Sequence, residues 1–259
     1  MRLTNMHYEK RGYAAWVILD RPEVLNALTP EMVEDLREAA AAAADDAEVR
    51  VVVFTGTGRG FCPGFDLGVM NDMDMGRAWD LAIVMTEAWS FIRTLPKPTI
   101  AAINGVTAGG GFELSLACDL RIAARTARIG SCEVRINQPT TNGSSYLLAR
   151  LIGESKAKEL CLTGDLFDAD EAARVGLVNA VAEPEEFEAT VQAWADRIAS
   201  RAPIAVAHVK RCFEEGRTIT ANAAVRMEEE AAINCFRSED QAEGLAAFLE
   251  KREPRWAGK

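Results

Sequence analysis

The chain has 259 residues, of which 49% are hydrophobic and 26% are charged, so it can bury a full core and is not a disordered protein. Its net charge of -10 opposes general nucleic-acid binding, which needs a basic surface. Six cysteines without a C-x-x-C pair and only two histidines argue against a zinc site. Since the N-terminus lacks a signal-peptide pattern and no apolar run reaches about 18 residues, we expect a cytoplasmic protein that neither enters a membrane nor binds metal.

Short apolar runs alternate with helical patterns in the first half of the chain. Runs rich in β-branched residues predict strands, and those that are almost wholly apolar predict strands covered on both faces. A threonine followed by proline is a helix start signal. The predicted strands are 13–20, 49–56, 99–103, 120–124 and 127–133, and helices are expected after Thr29 and over 77–95.

Helical patterns dominate from Ser144 to the C-terminus. Strands that alternate with helices, followed by helices alone, are typical of an α/β domain with a helical C-terminal part. No fixed-period repeat of about 20–50 residues is visible that would indicate a solenoid.

The three glycine-rich segments differ in what they indicate. "GTGRGF" follows the predicted strand 49–56, but Phe61 occupies the third glycine position of the dinucleotide fingerprint, so a turn is the better interpretation. "CPGFDL" places Gly64 before Phe65, where a helix could begin. "AGGGFEL" gives the same order of strand, glycines and helix after 99–103.

Two such segments at neighbouring ends of parallel strands would bring two backbone amides together. The first amides of a helix have no partner within it, and two convergent amides can stabilise a negatively charged carbonyl oxygen. Glu113 lies in an apolar run, where a carboxylate is costly unless something compensates it. The alternative is that both segments are tight turns and Glu113 only supports a helix N-terminus.

Five segments resemble the crotonase superfamily, the enoyl-CoA hydratases and isomerases. They are "LDRPEVLNALTPEM", "GRGFCPGFDL", "AAINGVTAGGGFELSLACDLRIAA", "LTGDLFDADEAARVGLVNAV" and "AFLEKREPRW". The resemblance implies a ClpP-like spiral ββα core, expected at 1–195, and a C-terminal helical trimerisation region at 196–259. It also implies a homo-oligomer, a trimer or hexamer, and an acyl-CoA thioester substrate, with no cofactor other than the coenzyme A of that substrate.

The resemblance assigns roles to four residues of the site. The amides of Phe65 and Gly110 would form the oxyanion hole for the thioester oxygen. Glu113 and Glu133 match the two glutamates that hold water over the double bond in hydratases, Glu133 exchanging the proton next to the thioester and Glu113 deprotonating the water. Two carboxylates in a dry pocket raise each other's pKa, while a helix N-terminus favours the charged form.

The resemblance also implies residues that contact coenzyme A and the substrate. Arg21 could meet a phosphate, backbone near it could line the pantetheine path, and two C-terminal residues could reach coenzyme A from a neighbouring subunit. The alternative for Lys251 is a solvated surface charge. The expected binding residues are Arg21, Val24, Asn26, Leu28, Gly64, Asp66, Leu67, Gly109, Phe248 and Lys251.

The loop after the second glutamate departs from the family pattern. Its glycines are replaced by Thr141, Asn142, Ser144 and Ser145, and an arginine by Leu147. The new polar side chains could bind a polar acyl group, or they could only satisfy a turn. Phe65 stands where many hydratases have alanine, which narrows the pocket without removing the amide.

Three functions remain open from the residues. The presence of both glutamates favours an enoyl-CoA hydratase. An enoyl-CoA isomerase, which can work with the second glutamate alone, or another crotonase-type hydrolase or lyase is the nearest alternative. A non-catalytic acyl-CoA-binding or scaffold protein is disfavoured because the glutamates and the glycines are intact.

Overall fold

The computed structural model describes residues 3–259, in which ten strands form two sheets. The strands are β1 (Met6–Arg11), β2 (Ala14–Leu19), β3 (Val51–Gly56), β4 (Gly60–Cys62), β5 (Thr99–Ile103), β6 (Val106–Ala108), β7 (Leu120–Ala124), β8 (Arg128–Gly130), β9 (Phe167–Asp168) and β10 (Ala180–Ala182). The larger sheet has the order β1-β2-β3-β5-β7-β10, and the smaller has the order β4-β6-β8-β9. Neighbouring strands are parallel except for the pairs β1/β2 and β8/β9.

Eleven α-helices accompany these strands within residues 3–259. They are α1 (Pro30–Asp45), α2 (Leu67–Asn71), α3 (Met75–Thr94), α4 (Gly109–Ala117), α5 (Ser144–Ile152), α6 (Glu154–Thr163), α7 (Ala169–Arg174), α8 (Phe187–Ala199), α9 (Pro203–Gly216), α10 (Ala221–Phe236) and α11 (Glu239–Glu250). Short 3-10 helices lie at Pro22–Val24, Glu133–Ile136 and Pro184–Glu186. None of the helices described is long and apolar enough to cross a membrane.

Three successive ββα units build the expected spiral. Each unit contributes one strand to the larger sheet and the next strand to the smaller sheet, and a helix follows: β3-β4-α3, β5-β6-α4 and β7-β8-α5. The units begin at residues 51, 99 and 120, so their spacing along the chain is unequal. This unequal spacing explains why the sequence contains a structural repeat but no fixed period.

The larger sheet is buried on both faces, as its apolar strands predict. In β3, Val52 and Phe54 pack into one hydrophobic cluster, whereas Val51 and Val53 pack into a second one on the other face. Helix α8 covers the second face through residues that include Val191. Each fully buried aliphatic or aromatic side chain stabilises the fold by about 1.5–3 kcal/mol.

The long elements agree with the sequence-based expectations better than the short ones. Strands at 99–103 and 120–124 are confirmed, and the Thr29 side chain caps α1 by accepting a hydrogen bond from the Met32 amide. The segment "GTGRGF" is not only a turn, because β4 begins at Gly60. The predicted strand 127–133 is wrong at its end: β8 stops at Gly130 and Glu133 opens a 3-10 helix.

Helices α9 to α11 form the C-terminal part of the chain, where many large apolar side chains are exposed, including Phe213, Phe236 and Phe248. The expected boundary between residues 195 and 196 lies inside α8, which packs on the larger sheet. The division into a core region and an oligomerisation region stays a prediction.

Candidate active site

The two glycine segments meet at the ends of β4 and β6. These strands are parallel neighbours in the smaller sheet, with Cys62 paired to Thr107. The sequence-based reasoning expected this meeting at the ends of strands 49–56 and 99–103. That detail is wrong, because three-residue strands follow both of those longer strands and carry the chain into the second sheet. The principle of adjacent parallel strand ends still holds.

The backbone at Gly64 nearly touches the start of α4. A Cβ atom added to Gly64 would lie 3.3 Å from the Gly110 nitrogen and 3.3 Å from the Ala108 oxygen. Gly64 has φ of +112° and Gly109 has φ of +49°, a region that residues with side chains rarely adopt. Glycine is therefore required here both by the backbone conformation and by the close approach of two chain segments.

Each of the three consecutive glycines has its own reason. Gly109 supplies the left-handed conformation that opens α4. A Cβ on Gly110 would enter the space beside the Met85 methyl group, at 3.1 Å, and Leu28, at 3.5 Å. A Cβ on Gly111 would overlap the Cys62 backbone and side chain. A side chain at Gly110 would thus crowd Met85, whereas one at Gly111 would overlap the Cys62 backbone.

The Phe65 amide is oriented by a strand-like bridge and not by a helix. Phe65 forms an isolated parallel bridge with Leu28, in which the Leu28 amide donates to the Gly64 oxygen and the Asp66 amide donates to the Leu28 oxygen, each at 2.9 Å. In a parallel ladder this pattern turns the Phe65 N–H away from Leu28. The expected helix start at Phe65 is wrong, because α2 begins at Leu67 with Asp66 as its N-cap.

The Gly110 amide belongs to the first turn of α4, where no intrahelical partner exists. Gly64 brings the Phe65 peptide against this turn. Among residues 3–259 neither of these N–H groups donates a backbone hydrogen bond, and the Gly110 amide lies at a helix N-terminus, where the dipole favours negative charge. This arrangement can bind a carbonyl oxygen that gains negative charge.

Glu113 lies one turn further along α4 and is only 4% exposed. Its Oε1 accepts hydrogen bonds from the Thr141 amide at 2.8 Å and the Thr141 hydroxyl at 2.7 Å, and its Oε2 accepts one from the Asn142 side-chain amide. Burial raises the pKa of Glu113, the donors of Asn142 and Thr141 oppose that rise, and the charge of Glu133 adds to it.

Glu133 opens a 3-10 helix beyond β8, and its charge is near enough to raise the pKa of Glu113. The Ser131 hydroxyl donates to Glu133 Oε2 at 2.7 Å. The other oxygen, Oε1, is buried and has no hydrogen-bond partner among residues 3–259. One carboxylate oxygen is thus fixed, and the other is available for proton exchange.

Three residues of this site were not identified from the sequence in the roles that they play. Thr141 and Asn142 hold Glu113, so their side chains are not merely turn formers. Ser131 stands two positions before Glu133, a spacing at which serine often binds a nearby group, and this was the available signal.

Arg21 and Asp66 pair on the side where the resemblance implies coenzyme A. Arg21 binds the Asp66 carboxylate at 3.1 Å and donates to the Ala27 oxygen at 2.7 Å. The hydrogen bond from Arg21 holds the pKa of Asp66 below its usual value. The Asn26 side chain is buried and donates to the oxygens of Thr57 and Gly60, so it anchors this loop to β4.

The remaining expected binding residues lie in two places. Val24 and Leu67 are exposed near the Arg21 loop and at the start of α2, while Leu28 is buried and its side chain lies beside Gly110. Phe248 and Lys251 are exposed on and after α11, which packs mainly on α10. Within a single chain, Phe248 and Lys251 are not among the residues that contact Glu113 or Glu133.

Two backbone amides at adjoining glycine segments, near two carboxylates on a ββα spiral, form a site that can polarise a carbonyl group and move protons next to it. The sequence family described as enoyl-CoA hydratase/isomerase matches residues 9–259. The chain belongs to this family, part of the crotonase superfamily, and the expected fold class is confirmed.

The chain is similar to named members over its whole length. It is 37% identical to the short-chain-enoyl-CoA hydratase of Clostridium acetobutylicum, with 98% of this chain and 97% of the relative covered. It is 36% identical to the crotonyl-CoA hydratase of Syntrophomonas wolfei, with both chains fully covered. A crystal structure of the enoyl-CoA hydratase from Bacillus anthracis is 35% identical and superposes with a TM-score of 0.96 over 99% of this chain and 100% of that chain.

Proposed function

We propose that the protein is an enoyl-CoA hydratase, a lyase that adds water across the 2,3 double bond of an acyl-CoA thioester. The observation that carries this proposal is a pair of carboxylates, the buried Glu113 and the half-buried Glu133 with its buried Oε1, near the amides of Phe65 and Gly110. The names of the two relatives above, a short-chain-enoyl-CoA hydratase and a crotonyl-CoA hydratase, support the same reaction.

The thioester oxygen would accept hydrogen bonds from the Phe65 and Gly110 amides. Withdrawal of electrons toward that oxygen makes carbon 3 electrophilic, and the amides stabilise the enolate that forms. Glu113 would take a proton from the attacking water, and Glu133 would give a proton to carbon 2 through its free Oε1. Water thus adds as hydroxyl and hydrogen, and proton exchange returns both carboxyl groups to their starting state.

Coenzyme A would be bound along the loop that holds Arg21, and it enters only as part of the substrate, so we propose no separate cofactor. Asp66 orients Arg21 there, while the backbone near Val24 and Asn26 lies beside it. Phe248 and Lys251 would reach the nucleotide end from a neighbouring subunit. Gly64, Leu67 and Gly109 would line the thioester end of the path.

The oligomer proposed for this chain is a homotrimer, alone or paired into a hexamer. Its support is the exposure of large apolar side chains on α9, α10 and α11, since such faces are characteristic of subunit contacts. Burial of these faces would bring α11 of one chain near another. We also propose that the protein acts in the cytoplasm without nucleic acid, membrane or metal partners.

A second reaction is compatible with part of the site. An enoyl-CoA isomerase moves a proton between two carbons and needs only one carboxyl group, which Glu133 would supply through its unpaired oxygen. Glu113 distinguishes the two reactions, because three hydrogen-bond donors hold its carboxylate in place although isomerisation has no water to activate.

A panel of 2-enoyl-CoA and 3-enoyl-CoA thioesters tests the proposal. We expect the wild type to hydrate the 2-enoyl thioesters, which removes the absorbance of the conjugated double bond. Glu113→Gln and Glu133→Gln should each lower the rate of hydration about 10²–10⁴-fold. If the wild type hydrates nothing but converts 3-enoyl thioesters into conjugated ones, the protein is an isomerase. Binding of thioesters by calorimetry without any turnover would contradict both reactions.

A further inference from the structure

The carboxylate of Glu113 has almost all of its acceptor capacity occupied. A carboxylate offers about four acceptor positions, two on each oxygen. The Thr141 amide and hydroxyl bind Oε1, and the Asn142 side chain binds Oε2. One position therefore remains, and it lies on Oε2.

The donor of Asn142 is itself oriented by a residue from α3. The Thr86 hydroxyl lies 2.9 Å from Asn142 Oδ1, so the amide nitrogen of Asn142 faces Glu113. Asn142 has φ of +53°, a left-handed conformation that asparagine adopts more readily than most residues. Thr86, Asn142 and Glu113 thus form one connected chain from α3 to α4.

We propose that Thr141 and Asn142 are positioning residues that hold Glu113 ionised and leave it a single acceptor position for the attacking water. This inference rests on the hydratase function proposed above and assigns to the loop the task of directing the water. The polar loop therefore serves the reaction centre and not a polar acyl group.

The electrostatic surroundings make these donors necessary. Glu113 is buried, and burial raises the pKa of its carboxyl group. The charge of Glu133, beyond β8, raises the pKa of Glu113 further. Helix α3 contributes Met85 and Thr86 to the surroundings, and neither side chain is charged. Hydrogen bonds to the ionised form lower the pKa. Loss of a donor should therefore raise the pKa of Glu113.

Single substitutions can remove each side-chain donor with little change in shape. Thr141→Val removes the hydroxyl but keeps the backbone amide, and Asn142→Gly removes the side chain but keeps the left-handed backbone. We expect each to lower kcat for hydration about tenfold with a small change in KM, because the carboxylate loses a hydrogen bond that fixes its orientation and favours its ionised form. The acid limb of the pH–rate profile should move to higher pH, because protonated Glu113 persists there.

Two further variants separate positioning from general damage. Thr141→Ser keeps a hydroxyl and should restore the rate and the acid limb. Thr140→Val is the matched control, because the Thr140 hydroxyl is buried and has no partner among residues 3–259, and it should leave both unchanged. A lower rate in Thr141→Val with an unmoved acid limb would overturn the inference and leave the hydratase function intact.

The inference can also be tested without turnover. The infrared carboxyl signal of Glu113 is obtained as the difference between each protein and the same protein carrying Glu113→Gln. This signal should titrate at a higher pH in Thr141→Val than in Thr140→Val. Identical titrations in those two proteins would refute the positioning role. Absence of hydration with every thioester would instead refute the proposed function, whatever the infrared titration gives.

Discussion

The spiral core and the C-terminal helices differ in how much of their apolar surface a single chain buries. In the core, both faces of the larger sheet are covered, and the site's Glu113 is buried among hydrogen-bond donors. On α10 and α11, by contrast, Phe236 is 75% exposed and Phe248 is 83% exposed. The groups proposed for the reaction centre thus come from one chain, while the C-terminal helices expose large apolar side chains that we propose form subunit contacts.

Ion pairs link these two regions. The Lys210 ammonium group on α9 is nearly buried and binds Asp119 at 2.8 Å and the Lys97 oxygen at 3.0 Å. Arg93 on α3 binds Glu214 on α9 at 3.2 Å. A cavity of about 600 Å³ remains between α5 and α9. The contacts between α9 and the core thus include ion pairs, and part of the junction stays open.

Apart from changes to the two glutamates, the largest effect should come from a methyl group added at the amide pair of the core. Gly110→Ala places a Cβ 3.1 Å from the Met85 methyl group and should displace the amide proposed to bind the thioester oxygen, so we expect kcat to fall about 10²–10³-fold, as for loss of an oxyanion donor. Initial rates with a 2-enoyl-CoA measure this.

The matched control is the same substitution in the C-terminal region. Gly216→Ala puts its Cβ 3.8 Å from the Ala224 side chain, an ordinary contact, and should leave kcat unchanged. Equal rates for Gly110→Ala and the wild type would contradict the oxyanion assignment.

The next effect should appear in the C-terminal region as a change of oligomeric state. Phe236→Glu would place a charge in the proposed subunit contact, and loss of one interface anchor weakens association by about 2 kcal/mol or more, roughly 30-fold in Kd. Sedimentation velocity across a dilution series should show dissociation at higher concentrations than for the wild type.

An exposed aromatic residue of the core serves as the control for that experiment. Trp79 on α3 is 69% exposed, close to the exposure of Phe236, but it lies outside α9 to α11. Trp79→Glu should sediment like the wild type. If both variants or neither dissociates, exposure on the C-terminal helices does not mark the subunit contact.

How much the sequence could predict also differs between the two regions. Long apolar strands such as 99–103 have a strong signal, and their predicted bounds match β5 and β7. Strands of three residues, such as β4 and β6, cannot show a period, so the place where the glycine segments meet was misassigned to the longer strands. The spiral followed from the family resemblance and not from periodicity.

Within the site, the acidic residues were predictable and their hydrogen-bond partners were not. Glu113 stands out because a carboxylate in an apolar run needs a reason. Thr141 lies 28 positions further on in a loop, and only the folded structure brings its hydroxyl to Glu113. The exposure of Phe236 could not be predicted either. A helical pattern does not indicate which of its apolar side chains are buried within the same chain.

A smaller effect is expected from the single side-chain donor to Glu133. Ser131→Ala removes the hydroxyl that binds Oε2, and the carboxyl group then loses its fixed orientation. We expect kcat to fall about tenfold with KM little changed, since a hydrogen bond to a charged group is involved. Ser145→Ala, at an exposed position of α5, is the control and should retain the wild-type rate. A tenfold loss in both would indicate general damage to the loop.

The smallest effect should come from Lys251, where the C-terminal region would contribute to binding without completing the chemistry. Lys251 is exposed with φ of +54°, and Lys251→Asn removes the charge while keeping a residue that tolerates this conformation. An exposed ion pair contributes about 0.2–1 kcal/mol, so KM for an enoyl-CoA should rise by roughly fivefold at most with kcat unchanged. The difference should shrink at high salt, because screening weakens exposed charges. A pantetheine thioester, which lacks the nucleotide phosphates, should show no difference between the two proteins. An equal rise in KM for that truncated substrate would mean that Lys251 acts through the fold of α11 and not on coenzyme A.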